Sequence, residues 1–371
     1  MLALLYDKFA RRLLFAMDAE QAHDLAMYGL SRLSYFPSLA HALFAGSRGP
    51  EQFYRPVEAF GLTFPNVIGL AAGFDKNAVA LPAWEAMGFG FVEAGTITAL
   101  AQPGNPKPRL HRFPEEGAII NRFGFNNQGA DCVACRLNRL RRSGRWPKVP
   151  VGINIGKSKL APIETAEEDY LYSFHRLFSF ADYFVLNVSS PNTPGLRQLQ
   201  GREELKRLLA AVQGANREKP TPKPVLVKIA PDLEWSQIED VLSLAEEYEL
   251  AGVIATNTTI DHSPIQNAKN YSQQQGGLSG VPLAQRSTEV VKFICERSRL
   301  PVIAVGGISS GDEALRKLDA GATLLQAYTA LVFRGPALLK EVLAATAPRL
   351  GHTAKPEETV AEVAADAPAH I

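Results

Sequence analysis

The segment Asn187-Val-Ser-Ser-Pro-Asn-Thr-Pro-Gly-Leu-Arg197 sets amide and hydroxyl side chains directly after an apolar run, Tyr183 to Leu186. A strand buried on both faces has no use for such groups, so they belong to its carboxyl end, where proline and glycine then fix a loop. At the carboxyl edge of a barrel or an open α/β sheet, side chains of this kind meet a ligand. Ser190 has no histidine near it in sequence, which argues against a hydrolase triad. A serine in that setting moves a proton, helped by local hydrogen bonds or a path through water.

Other apolar runs end the same way. Ala72-Gly-Phe-Asp-Lys-Asn77 offers Gly73, which lets a flat ligand approach the backbone, and Lys76, a cation at the mouth. Further ends carry Glu93 to Thr96, Asn154 with Gly156 and Lys157, Lys228 to Pro231, Thr256 to Thr259, Gly306 to Ser309, and Gln326 to Thr329. The glycine pair in Val305-Gly-Gly-Ile308, with Ala327-Tyr-Thr329 one repeat later, is where barrels hold a phosphate on backbone N–H groups. A fixed ammonium at Lys228 suits the pyrimidine end of a flavin, whose anionic reduced form it would stabilise. No GxGxxG fingerprint opens a βαβ unit near the N-terminus, which excludes the usual nicotinamide site. Asn121, Asn187, Asn192 and Asn257, with Lys76 and Thr258, fit a small planar molecule that bears a carboxylate and amide or imide edges, since asparagine both donates and accepts.

Eight Val- and Ile-rich runs must position these groups: 67–72, 90–94, 151–155, 183–188, 225–229, 252–256, 302–305 and 322–327. They lack strict alternation, as strands of a parallel sheet covered on both faces do. Stretches of helical spacing lie between them, at 78–87, 128–142, 165–180, 203–217, 234–248, 283–297, 311–320 and 336–345. Eight such repeats predict an α/β protein, a closed (β/α)₈ TIM barrel rather than an open sheet, over residues 46–350. The long connections 96–126, expected to form a small hairpin, and 257–280 read as binding loops. Residues 1–45 read as two amphipathic helices in a hairpin. Leu2, Leu5, Tyr6, Phe9, Leu13 and Ala16 share a face, Asp18 caps the second helix, and that helix ends before Pro37. The apolar face either packs on the barrel or, with Lys8, Arg11 and Arg12, meets a membrane surface. The tail 351–371, rich in Ala, Glu, Thr and Pro, reads as mobile.

Composition narrows the function classes. With 39 basic and 38 acidic residues the formal charge is +1, which gives no electrostatic case for nucleic acid. Cys132, Cys135 and Cys295 cannot build a disulfide framework, the single CxxC of Cys132 and Cys135 without a second pair is weak evidence for metal, and all three read as helix-packing residues in a reducing compartment. Neither a secretory signal nor an apolar stretch of the ~18 residues needed to span a bilayer is present.

At these motifs the sequence resembles dihydroorotate dehydrogenase, in particular the membrane-associated, quinone-linked second class. The resemblance rests jointly on Gly69-Leu-Ala-Ala-Gly-Phe-Asp-Lys76, Gly95 to Thr98, Gln102 to Arg109, Asn121 to Asn126, Asn187 to Thr193, Lys228 to Pro231, Thr256 to Thr259, Gly276 to Gly280 and Val305 to Ile308. It implies a barrel that oxidises dihydroorotate to orotate in pyrimidine (UMP) biosynthesis, passing hydride to FMN, which a quinone reoxidises. It puts FMN against Ala72, Gly73, Phe74, Asp75, Lys76, Thr96, Asn154, Asn187, Lys228, Thr256, Gly280, Gly307, Tyr328 and Thr329. Substrate falls against Lys76, Asn121, Arg122, Phe123, Gly124, Phe125, Asn187, Asn192, Asn257 and Thr258. Ser190 takes the position of the catalytic base, which is serine in the second class and cysteine in the soluble first class. His23, Arg112 and Tyr328 match the quinone site, and no metal is implied. The resemblance further implies a peripheral protein on the cytoplasmic face of a bacterial inner membrane, drawing on its quinone pool. Two other readings compete: a different FMN barrel oxidoreductase, such as a 2-hydroxy-acid oxidase, and a non-catalytic membrane-binding barrel. The first would need a histidine and arginine pair that no strand end here presents.

Overall fold

The computed structural model describes residues 11–269, 271 and 273–351. The expected apolar face over Leu2 to Phe9, the basic Lys8 and the tail 352–371 lie outside the described residues. Three helices come first among them: α1 (Arg11–Ala16), α2 (Ala19–Leu33) and α3 (Pro37–Arg48). The expectation of two helices is corrected here. Pro37 does follow the end of α2, but it also opens a third helix, because at a first helical position its missing N–H is no loss and its φ is already helical. Asp18 caps α2 as expected, accepting the N–H groups of Glu20 and Gln21 at 3.0 and 3.1 Å.

A short antiparallel hairpin, β1 (Val57–Ala59) and β2 (Leu62–Phe64), precedes the barrel and had no counterpart in the sequence reading. Eight parallel strands then close on themselves: β3 (Ile68–Leu70), β4 (Phe91–Ile97), β7 (Val151–Ile155), β8 (Tyr183–Asn187), β9 (Val225–Ile229), β10 (Gly252–Ala255), β12 (Val302–Val305) and β13 (Leu324–Ala327). Each expected run contributes one strand. Helices α4 (Leu81–Met87), α5 (Gly129–Arg142), α6 (Ala166–Leu177), α7 (Arg202–Arg217), α8 (Trp235–Glu247), α9 (Ala284–Arg297), α10 (Gly311–Asp319), α11 (Thr329–Arg334) and α12 (Ala337–Gly351) follow the strands. On α7 the buried Leu205, Leu208, Leu209 and Val212 recur at helical spacing and face the sheet. The cysteines do not pack as expected: Cys132 and Cys135 are exposed on α5, and only Cys295 is partly covered.

Inside the barrel, Phe91, Tyr183, Val185, Leu226, Ile254, Ile303 and Leu324 form a cluster distinct from the core under the helices. Phe64 of the hairpin closes it from below, its ring 5.2 Å from that of Phe91. Strand side chains alternate inward and outward. The inward set therefore continues upward from Phe91 to Glu93, from Val185 to Asn187, from Leu226 to Lys228 and from Leu324 to Gln326. An apolar floor thus carries a polar layer at the carboxyl end, with Asn187 paired in register to Lys228. Above that end the expected hairpin, β5 (Leu110–Phe113) and β6 (Ala118–Asn121), gains a third strand, β11 (Gly277–Gly280), supplied by the second long loop.

Candidate active site

The polar layer opens into a cavity of about 270 Å³ at the carboxyl end of the barrel. Ser190, Asn121, Asn192, Asn257, Thr258, Lys76, Phe123, Gly124 and Phe125 line it together with Asn187. Ala72, Gly73, Thr96, Lys228, Thr256, Gly280, Gly307, Tyr328 and Thr329 also reach it. Residues up to 257 positions apart in sequence therefore share one wall because eight strand ends converge there, which is the property a barrel confers.

Ser190 is almost fully buried, and its Oγ accepts the N–H of Asn192 at 3.3 Å. The Asn192 amide in turn donates to Asn121 at 3.1 Å to the carbonyl and 3.2 Å to Oδ1, so the serine loop is tied to β6. Asn257 Nδ2 donates to Ser189 Oγ at 2.9 Å and to Asn187 Oδ1 at 3.3 Å. Arg197, named in the opening segment but given no role, braces this wall: its guanidinium donates to Ser189 O and Thr258 O, both at 3.0 Å, and pairs with Asp232 at 2.9 Å.

From the cavity floor downward runs a chain of buried polar groups. Asn187 Nδ2 donates to Thr96 Oγ1 at 2.8 Å, Thr96 donates to Asn154 Oδ1 at 2.6 Å, and Asn154 Nδ2 donates to Glu93 Oε1 at 2.8 Å. Gln326 closes it, donating to the other Glu93 oxygen at 2.5 Å. Glu93 and Gln326 were quoted only as strand-end residues. A lone acid in the apolar run Phe91 to Ile97 was the available signal, but its inward direction needed the register. Glu93 is the carboxylate that acts on Lys228: burial pushes the Lys228 ammonium below the ordinary lysine range, and Glu93 pulls it back up. Lys228 is almost fully buried, in register with Asn187 on one side and Ile254 on the other.

Near it, the buried Thr256 Oγ1, Thr258 Oγ1 and Gln326 Oε1 have no hydrogen-bond partner among the described residues. Leaving such groups unpaired is costly, so this wall is built for a ligand that carries complementary polar edges. At the end of the neighbouring strand β12, Gly306 and Gly307 turn with φ of +116° and +75°, and a Cβ on Gly307 would meet Ala284 Cα at 2.3 Å. Their backbone, exposed to the cavity beside the start of α11, fits a phosphate. An ammonium, unpaired amide and hydroxyl groups, and a glycine turn on neighbouring strand ends could hold a flat cofactor with polar edges and a phosphate.

Lys76 stands at the mouth with its ammonium 4.1 Å from the centre of the Phe123 ring. Burial lowers its pKa to about 8, against the pull of Glu20 and Asp24 on α2. Arg109 covers Phe123 as well, its guanidinium 5.6 Å from the ring centre. Arg109 is held by Glu20 through a buried pair at 2.7 Å and donates to Pro103 O and Asn105 O at 2.6 and 2.8 Å. The sequence reading missed this pair because nothing in either motif indicates that residues 20 and 109 meet.

Four expected ligands lie off the cavity wall. Asp75 is spent on structure, accepting the N–H groups of Val79 and Ala80 at 2.8 Å each and the Trp84 indole at 3.3 Å. Phe74 packs between Trp84, Tyr328 and His23. Asn154 lies below Thr96, and the Arg122 side chain turns outward to Pro108 O at 3.0 Å. Of the three expected quinone residues only Tyr328 lines the cavity. His23 reaches Tyr328 through the Phe74 ring, and burial with the nearby Lys76 charge pushes its pKa to about 3, so it is neutral. Arg112 binds the carbonyls of Leu14 and Met17 at 3.0 and 2.6 Å and lies over the Phe15 ring, fastening α1 to β5.

A family model described as Dihydroorotate dehydrogenase matches residues 55–350. The protein named dihydroorotate dehydrogenase (quinone) of Gloeobacter violaceus is 52% identical over 349 residues, 92% of this chain and 94% of that protein. Its namesake from Christiangramia forsetii is 46% identical and covers 91% of this chain and 97% of its own length. Among solved structures, ligand-free DHODH from Eimeria tenella superimposes with a TM-score of 0.81 at 38% identity, covering 90% of this chain and 95% of that one. The Eimeria tenella enzyme in complex with ferulenol gives 0.80, also at 38% identity, over 88% and 90%.

Proposed function

The chain belongs to the dihydroorotate dehydrogenase family, and from that premise we propose how its cavity oxidises dihydroorotate to orotate for pyrimidine biosynthesis with a quinone as final acceptor. FMN is the carrier we assign to the Lys228, Thr256, Gly306 and Gly307 side of the cavity, on the strength of the unpaired polar atoms and the glycine turn there. Bound FMN supplies the acceptor for the hydride that leaves C6 of dihydroorotate. The chain's own residues do the rest. Lys76 receives the substrate carboxylate, and Asn121, Asn192 and Asn257 present donors and acceptors to its amide and imide edges. Ser190 takes the C5 proton, held in place by the bond from the Asn192 N–H and passing the proton on to water. Lys228, lowered by burial and raised in part by the Glu93 carboxylate, would favour negative charge on a bound carrier.

The observation that carries this reading is that Ser190, Lys76 and the asparagines share a cavity with Lys228 and the glycine turn. Ser190→Ala is the direct test: reduction of the bound flavin by dihydroorotate should slow by on the order of 10²-fold or more while FMN stays bound. Unchanged reduction would remove Ser190 from the reaction.

Quinone access is assigned to the N-terminal helices, by way of His23, Phe74 and Tyr328. Leu13, Tyr28, Tyr35, Phe36 and Leu39 on and between these helices are each more than half exposed, an apolar surface that fits the headgroup boundary of a membrane. No described helix is long and apolar enough to cross one. We propose peripheral attachment through this exposed surface, at the cytoplasmic face that the resemblance to the quinone-linked class implies.

A further inference from the structure

Lys317 on α10 is completely buried, yet the reaction outlined above makes no use of it. Its ammonium donates to Ser287 Oγ at 2.8 Å and to Ala284 O at 3.2 Å, both on α9. Ser287 Oγ in turn donates to Val305 O at 2.7 Å, the last carbonyl of β12 before the glycine turn. The same two α9 residues are the ones on which the turn rests: a Cβ on Gly306 would meet Ser287 Oγ at 2.9 Å, and one on Gly307 would meet Ala284 Cα at 2.3 Å. The lysine therefore lies directly behind the backbone whose other side faces the cavity.

Burying an ammonium among neutral oxygens is poorly compensated, since a buried charge normally demands an opposite one. The carboxylate acting on Lys317 is Glu313, one turn back on the same helix, and Glu313 itself pairs with Arg316. Burial pushes the lysine to about 7 despite Glu313. The charge deficit lies next to a glycine turn suited to an anion, and an anion there would remove it.

We propose that Lys317 is a positioning residue for the cofactor phosphate, acting from behind the Gly306–Gly307 turn through Ser287 and supplying positive charge to a cradle made of backbone N–H groups. The inference rests on the assignment of FMN to this cavity. It predicts selectivity for the phosphate rather than for the ring system, because the hydrogen bonds of Lys317 go to Ala284 and Ser287, the residues on which the glycine turn rests.

The test compares FMN with riboflavin, which lacks the phosphate. Full-length protein stripped of flavin is titrated with each, by quenching of flavin fluorescence, as wild type and as the near-isosteric Lys317→Met. FMN affinity should fall at least about tenfold, as loss of a nearby buried charge predicts, with riboflavin affinity unchanged. Equal losses for both flavins, or no loss for FMN, would overturn the proposal. Should K317M fail to fold, Ser287→Ala decides in the same way: an FMN-selective loss supports the role, and an equal or absent loss overturns it. Wild-type protein that binds no FMN would instead refute the cofactor assignment.

Discussion

At the level of single residues the proposed chemistry falls to Lys76 and Ser190, and their environments make different predictions. Burial holds Lys76 at about 8. A lysine lowered in this way is charged below that pH and neutral above it, so its hold on a substrate carboxylate fails as pH rises through 8. kcat/KM for dihydroorotate should therefore fall above pH 8 through a rise in KM, and K76M should have a high KM that no longer changes over that range. A KM independent of pH between 7 and 9.5 in the wild type would contradict the assignment. Most of the cavity wall was legible in the sequence because amides and hydroxyls stood where an apolar strand ended. Glu93 and Gln326 were harder to read, since a strand shows which way a side chain points only once its register with the floor below is known. The resemblance puts Asp75 and Phe74 among the flavin contacts, whereas the tight turn there spends one on backbone N–H groups and the other on packing.

At the scale of elements, the eight strands could be read as Val- and Ile-rich runs closed by polar residues, and the helices between them by their helical spacing. The β1–β2 hairpin was invisible: Glu58 and Thr63 interrupt its two short strands, so neither forms an apolar run, and their role as a floor depends on Phe64 meeting Phe91. The third N-terminal helix was lost because a proline was read only as a stop. α2 proves to be more than a cover. Through Glu20 it holds Arg109, and through Arg109 the ring of Phe123 beside Lys76. Glu20→Ala leaves a guanidinium buried without its partner, a change that costs roughly 3–5 kcal/mol where the pair is fully enclosed. A lower urea midpoint and a raised KM for dihydroorotate should appear together in E20A, with Glu20→Asp restoring part of both. A raised quinone KM alone, with dihydroorotate kinetics unchanged, would show that α2 serves only the quinone side.

For the whole molecule, the same N-terminal helices face two ways, toward the substrate mouth through Glu20 and outward through Leu13, Phe36 and Leu39. Deleting them would confuse the two roles. Replacing the three exposed residues by serine separates them: binding to anionic lipid vesicles should be lost while reduction of a small soluble dye by dihydroorotate persists. Retained vesicle binding would assign the surface to something other than a membrane. Such surfaces are only half legible in a sequence, where an amphipathic helix looks the same whether its apolar face meets a barrel or a bilayer. The barrel itself unites the two half-reactions around one cavity, and that union is open to direct measurement. The visible spectrum of the purified protein, recorded without oxygen, should show an oxidised flavin band that dihydroorotate bleaches and an added quinone restores. A colourless protein, or a flavin band that dihydroorotate leaves unchanged, would contradict the assignment of flavin and substrate to this cavity.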